Sequence, residues 1–146
     1  MSNEYEAHVL LVDDEERFLD VLSHRLETRG MKVETATSGE HALERVADEA
    51  FDAIVLDLSM PGMDGIETLR VLKRRRPDMQ VIMLTGHGSV RGGIEAMRLG
   101  AEDFLEKPID FAVLMERIRE ARNKRLLLIE RRCQKEVTEI LKDTAK

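Results

Sequence analysis

The sequence predicts an α/β domain built on a five-stranded parallel sheet with helices on both faces. Three observations carry this. Five short, mostly apolar runs (8–12, 32–36, 53–56, 81–84 and 103–105) are each followed by a segment of helical period. Ala53 to Leu56 and Val81 to Leu84 are apolar without alternation, as strands covered on both faces are. Regular alternation of strand and helix then requires right-handed crossovers and a parallel sheet.

Each element has its own justification. His8 to Val12 forms the first strand and stops at Asp13, Asp14, Glu15 and Glu16. Phe18, Val21, Leu22 and Leu26 recur at three- and four-residue spacing and predict the inward face of a helix, with Gly30 as its C-cap. Lys32 to Ala36 alternates weakly, as an edge strand does. Thr37 and Glu40 have the spacing of a capping box for a second helix with Ala42, Leu43 and Val46 inward. The third strand ends at Asp57 and enters a loop to Gly65, in which Met60 and Met63 flank Gly62 and pack the loop.

Ile66, Leu69 and Leu72 mark the third helix, which ends before Pro77. The run Lys73-Arg74-Arg75-Arg76 lies at its C-terminus, where the macrodipole favours cations, and is read as a solvated helix end rather than a nucleic-acid contact. The fourth strand stops at Thr85 and a fourth helix runs to Leu99, closed by Gly100. Gly92 and Gly93 within it each cost about 1 kcal/mol against Ala, which marks either close packing or a loosened helix start. Asp103 to Leu105 precedes Lys107-Pro108, and the last helix begins near Asp110 with Phe111, Leu114, Met115, Ile118 and Ala121 inward.

That helix completes a domain over residues 1–122, and 123–146 form a helical extension. Leu126, Ile129, Cys133 and Ile140 keep near-heptad spacing, with Val137 and Leu141 close by. The extension is expected to dimerise a stand-alone protein, to lead to an output domain, or to fold back on the fourth helix and fifth strand. The stand-alone form is slightly favoured.

Composition narrows the function. With 42% hydrophobic and 36% charged residues the chain suits one domain with a well-solvated surface, and 3% aromatics leave the core to Leu, Val, Ile, Met and Ala. A net charge of -6 argues against direct nucleic-acid binding. A lone Cys133 and the scattered His8, His24, His41 and His87 exclude a disulfide and a Cys/His metal cluster, and fit a reducing compartment. The acidic N-terminus is unlike a signal peptide, and no apolar run nears the roughly 18 residues that span a membrane. The expected location is the cytoplasm, with no membrane association.

Polar residues interrupt the strands at one edge. Asp13 and Asp14, Asp57, Thr85 and Lys107 all follow strands at the carboxyl edge, where open α/β sheets bind ligands. In a flavodoxin-like doubly wound sheet of order 2-1-3-4-5, the commoner choice for five strands, the three carboxylates meet. Periodicity does not supply that order. Clustered carboxylates call for a hard divalent cation, and Mg²⁺ prefers one or two of them plus waters and a phosphate oxygen. Lys107 adds a point charge and Thr85 a hydroxyl, both suited to a phosphoryl group. A carboxylate so placed can act as a nucleophile toward phosphorus.

From about residue 7 to 122 the sequence resembles the receiver domain of bacterial response regulators, the CheY-like superfamily of two-component systems. The resemblance rests on Val12-Asp13-Asp14-Glu15, Leu56-Asp57-Leu58-Ser59-Met60-Pro61-Gly62-Met63-Asp64-Gly65, Leu84-Thr85-Gly86 and Phe104-Leu105-Glu106-Lys107-Pro108, all in order at the ends of successive strands. It implies phosphorylation of Asp57 by a sensor histidine kinase or phosphotransfer protein. It further implies Mg²⁺ held by Asp13, Asp14, Asp57 and the backbone carbonyl of Ser59, with Lys107 and Thr85 on the phosphoryl oxygens. Phe104 stands at the aromatic switch position, and a cis Lys107-Pro108 bond is typical. Ser59 and His87 occupy positions that tune phosphoryl lifetime in similar proteins, and both are expected to shield the group from water.

The switched surface is expected to bind a partner or a second copy, the homodimer forming through the fourth-helix, fifth-strand and fifth-helix face or through the C-terminal helix. The wording Leu84-Thr85-Gly86-His87-Gly88-Ser89 resembles receivers that precede ATPase transcription activators, so the alternative is part of a larger transcription regulator. An aspartyl-phosphate phosphatase of the haloacid-dehalogenase type would need an aspartate where Ser59 stands, and a flavin carrier a phosphate loop after the first strand. The domain is thus expected to be a switch with only slow self-dephosphorylation, not an enzyme.

Overall fold

The computed structural model describes residues 5–60, 64–86 and 90–144. Five βα units follow one another: β1 (His8–Val12), α1 (Glu16–Thr28), β2 (Lys32–Ala36), α2 (Gly39–Asp48), β3 (Ala53–Asp57), α3 (Gly65–Arg75), β4 (Val81–Thr85), α4 (Val90–Arg98), β5 (Asp103–Glu106) and α5 (Phe111–Thr144). All pairings are parallel and the order is β2-β1-β3-β4-β5. β1 and β3 are therefore neighbours, with Val12 opposite Leu56. Alternate strand residues feed two cores. Leu10, Val12, Ile54, Leu56, Val81 and Met83 pack under α2, α3 and α4, while Val9, Leu11, Val55, Ile82 and Leu84 pack under α1 and α5.

Local chemistry sets the element ends. Gly30 has φ +91° just past α1, as a left-handed helix stop requires. Asp64 caps α3 by accepting from Glu67 N at 2.8 Å, and Asp110 caps α5 by accepting from Ala112 N at 3.0 Å. Two sequence expectations are corrected. The cap of α2 is Ser38, whose hydroxyl accepts from His41 N at 3.1 Å, so the Thr37–Glu40 capping box does not form. On α1 the inward residue is Leu19 (3% exposed), whereas Val21 is 63% exposed. An inward face drawn through Phe18, Leu19, Leu22 and Leu26 satisfies the helical period equally well.

The basic run of α3 is only partly solvated. Lys73 Nζ donates to the carbonyls of Pro77 (3.1 Å) and Met79 (3.0 Å), and Arg76 Nη2 to Val46 O (3.1 Å), so these two satisfy backbone acceptors. Arg74 and Arg75 are exposed. The C-terminal extension does not fold back: it continues α5 as one helix of 34 residues. The last fully buried side chain on α5 is Ala121, and Arg122, Arg125, Leu128 and Ile129 beyond it are half-buried. Beyond or near that point, ion pairs tie the helix to the amino edge of the sheet: Arg119 to Glu6, Lys124 to Glu102, Arg125 to Asp52 (3.0 Å) and Arg132 to Asp78 (3.7 Å). No described helix is long and apolar enough to cross a membrane.

Candidate functional site

β1 and β3 deliver Asp13 and Asp57 to the carboxyl edge of the sheet, and both are buried, at 1% and 5% exposure. Asp14, one residue on, is exposed. Each of the three carboxylates offers an oxygen within 4.8 Å of the other two. Asp13 Oδ1 accepts from Glu15 N at 2.9 Å, and Asp57 Oδ1 from Ser59 N at 3.3 Å, so the turns after both strands hold the carboxyl groups in place. Lys107 Nζ donates to Asp13 Oδ2 at 3.0 Å and lies 3.9 Å from Asp57 Oδ1. It also sits 4.5 Å over the ring of Phe18, a second attraction for the cation. An open cleft of about 300 Å³ lies over these groups, lined by Asp13, Asp14, Glu15, Asp57, Ser59, Gly86 and Lys107.

Burial pushes the Asp57 carboxyl up to about 6, with the Asp13 charge adding to the effect and Lys107 opposing it. Burial works against the Lys107 ammonium, but its hydrogen bond to Asp13 and the charges of Asp57, Asp13 and Glu15 outweigh it and hold the group above its usual range. Three carboxylates against one ammonium leave a surplus of two negative charges, which one divalent cation balances. An all-oxygen donor set with waters admitted by the open cleft suits a hard ion such as Mg²⁺.

Thr85 at the end of β4 is buried, and its hydroxyl donates weakly to Leu105 O at 3.4 Å. Phe104 on β5 is half-buried and packs against the α3–α4 core. The Lys107-Pro108 bond is cis. The structure thus brings Asp13, Asp14, Asp57, Ser59 and Lys107 to one cleft and places Thr85 at the neighbouring strand end. His87, Pro61, Gly62 and Met63 lie outside the described residues, while Met60 is buried in the loop as expected.

Two glycines named in the sequence, Gly65 at the end of the loop and Gly93 as a mark of close packing or a loosened helix start, shape the site. A Cβ on Gly65 would stand 2.3 Å from Asp57 O and 2.6 Å from Leu58 Cα, so α3 can start here only without a side chain. A Cβ on Gly93 would meet the Phe104 ring at 2.9 Å, which identifies the cost of a glycine in α4 with close packing. Gly93→Ala is therefore expected to displace the ring. Stability should stay within about 1 kcal/mol of the parent, because better helix propensity offsets the lost contact. In a Phe104→Ala background the same change should stabilise by up to about 1 kcal/mol. Phe ring resonances and a double-mutant cycle in denaturant check this; equal effects in both backgrounds would show that ring and glycine are not coupled.

A parallel α/β sheet that gathers carboxylates, a hydroxyl and an ammonium at the ends of β1, β3, β4 and β5 is the architecture of a phosphorylation-controlled receiver. The chain belongs to the response regulator receiver domain family, which it matches over residues 9–119. It is similar to the C4-dicarboxylate transport transcriptional regulatory protein DctD of Pseudomonas aeruginosa, with 38% identity over 127 residues that cover 87% of this chain and 28% of that protein. A receiver domain protein from Clostridium thermocellum superposes with a TM-score of 0.81 at 36% identity, covering 84% of this chain and 98% of that one. NtrX from Brucella abortus gives 0.78 at 31% identity over 92% of this chain and 30% of its own. The chain spans about a quarter of the length of curated relatives such as DctD. The protein is a receiver of two-component signalling.

Proposed function

We propose that Asp57 accepts a phosphoryl group from a sensor histidine kinase or phosphotransfer protein and that the resulting charge switches a protein-interaction surface. The observation that carries this is the Lys107 ammonium bridging Asp13 and Asp57 inside a cluster of three carboxylates at the β1/β3 switch point. An Asp57 oxygen attacks phosphorus, the new P–O bond forms as the P–N bond of the donor breaks, and the departing imidazole keeps the electron pair. Lys107 stabilises charge on the transferring oxygens. Mg²⁺, held by Asp13, Asp14, Asp57 and the Ser59 carbonyl, supplies neutralising charge when bound. Thr85, whose present hydrogen bond to Leu105 O is weak, turns to a phosphoryl oxygen, and Phe104 follows toward the space that leaves.

The output is a shift of population at the α4–β5–α5 face. That face, or the extension of α5 from residue 123, then engages a partner or a second copy in the cytoplasm, with no nucleic acid bound by this chain directly. The second reading, a receiver within a larger transcription regulator, is favoured by the lengths of DctD and NtrX relative to the matched segment. Either way the domain acts as a switch and only slowly loses its own phosphoryl group.

Incubation with Mg²⁺ and acetyl phosphate or phosphoramidate, followed by intact mass, tests the proposal. A labile gain of one phosphoryl group is expected, and absence of any adduct with both donors and with Mg²⁺ saturating would overturn it.

A pH dependence follows from the same site. The folded chain holds the Asp57 proton up to about pH 6, above the ordinary value of 3.8, so ionisation across that window disfavours the folded state. The metal-free protein should lose roughly 2–3 kcal/mol of stability as pH rises from about 4 to about 6. Mg²⁺ should suppress the loss by stabilising the carboxylate. Denaturant unfolding of the parent against Asp57→Asn isolates this slope; identical pH profiles for the two would refute it.

A further inference from the structure

We propose a second, transition-metal site at the opposite end of β1, formed by His8, Glu34 and Glu49 and suited to one divalent ion of the zinc or cobalt class. His8 opens β1, Glu34 lies in the middle of the edge strand β2, and Glu49 follows the last turn of α2. His8 shares the strand face of Leu10 and Val12, and Glu34 that of Ala36, the face α2 covers. The topology therefore aims three metal-binding groups at one point under the end of α2.

One ring nitrogen of His8 and one carboxylate oxygen each from Glu34 and Glu49 all lie within 4.8 Å of one another. The His8 Nε2 to Glu49 Oε2 separation is 3.5 Å. Two ligands of a tetrahedral zinc ion at about 2.0–2.2 Å stand roughly 3.3–3.5 Å apart, so this pair is already spaced for one. An independent observation points the same way. His8 Nε2, Glu34 Oε2 and Glu49 Oε2 are all buried atoms that make no hydrogen bond among the described residues. Buried polar atoms with no hydrogen bond are costly, and here each of the three clustered side chains carries one, held only by the long contacts of His8 to Glu49 and of Glu34 to Arg45. A cation would satisfy all three at once.

The ring of His8 is also pre-positioned. It packs against Phe51 with centroids 4.6 Å apart, and its backbone N–H donates to Asp52 Oδ2 at 2.8 Å. Asp52 is itself engaged by Arg125, so it holds the strand end and does not compete for the ion. The competing charge is Arg45, whose Nη1 lies 3.6 Å from Glu34 Oε2 and whose Nε is buried without a partner. At that distance the contact is an ion pair without a hydrogen bond, and an ion that takes Glu34 must do so against it. The imidazole ligand selects zinc, cobalt or nickel over Mg²⁺. The site lies about 17 Å along β1 from Asp13, and it would pin α2 to the edge of the sheet.

Titration of the metal-free chain with Co²⁺, under Mg²⁺ in excess to occupy the Asp57 cluster, tests the assignment by calorimetry and by paramagnetic broadening of the His8 ring resonances. One Co²⁺ should bind and broaden His8 selectively in the unaltered protein. His8→Gln and Glu49→Gln should each weaken binding at least tenfold while leaving Mg²⁺ affinity and phosphoryl uptake unchanged. Arg45→Gln should tighten it severalfold by removing the opposing charge. Broadening confined to His24, His41 or the Asp57 region, or a Co²⁺ affinity indifferent to His8 and Glu49, would overturn the proposal. So would the absence of any Co²⁺ uptake outside the Asp57 cluster.

Discussion

Replacement of Asp57 by Asn is expected to abolish phosphoryl uptake completely and to leave a protein more stable than the parent. The amide has the shape of the carboxylate and keeps an oxygen for Ser59 N, which now donates to Asp57 Oδ1 at 3.3 Å. It lacks the charge and the nucleophilic oxygen pair. Asp13 and Asp14 remain within reach of the cleft, but Asp13 is held by Lys107 and by Glu15 N. The gain in stability comes from removing a buried charge that Asp13 repels, on the order of 2–3 kcal/mol at neutral pH without metal. Intact mass after treatment with acetyl phosphate and Mg²⁺, together with a denaturant midpoint, gives both halves. An adduct of undiminished yield on the variant would place the acceptor elsewhere, and the higher midpoint ensures that a missing adduct is not mere unfolding.

The second large effect is expected at Gly65. Its amide donates to Leu58 O at 3.0 Å, drawing the start of α3 against the loop that follows Asp57. In Gly65→Ala the new carbon would be 2.3 Å from Asp57 O, 2.6 Å from Leu58 Cα and 2.8 Å from Leu58 O. All three are backbone atoms, so no side chain can swing aside, and the loop itself must move. A cost of about 3 kcal/mol or more is expected, at the upper end of overpacking effects. The displacement falls on the Asp57 peptide, so any folded fraction should take up phosphate poorly and bind Mg²⁺ weakly. Gly86→Ala is the matched control: it lines the same cleft, has nothing within 4 Å of its Cβ position, and should change stability by less than about 0.5 kcal/mol. Similar midpoints for the two variants would contradict the close-approach argument.

Several features could be read from the residues because they rest on short-range chemistry. The apolar runs and the acidic stops after them place Asp13, Asp57, Thr85 and Lys107 at strand ends, and the structure finds each there. The helix stop at Gly30 and the start of α5 at Asp110 are local in the same way. Errors arose where two local answers were equally good. Thr37 and Ser38 are adjacent capping hydroxyls, and only the path of the chain out of β2 selects Ser38. Val21 and Leu19 both fit a helical stripe, and only the position of the sheet decides which of them is covered.

By itself the sequence determined the α/β class, the edge at which the chemistry gathers and the residue types available for it, because strand period, turn residues and charge are properties of a few neighbours in the chain. The tertiary structure alone decided the rest. Strand order brought β1 beside β3 and so made one site of Asp13 and Asp57, which are 44 positions apart. Packing of α4 on β5 set Phe104 against Gly93. The fold of α2 over the sheet brought Glu34 and Glu49 to His8, although no spacing in the chain relates them. Such contacts join residues distant in sequence, and their geometry is set by how whole elements pack.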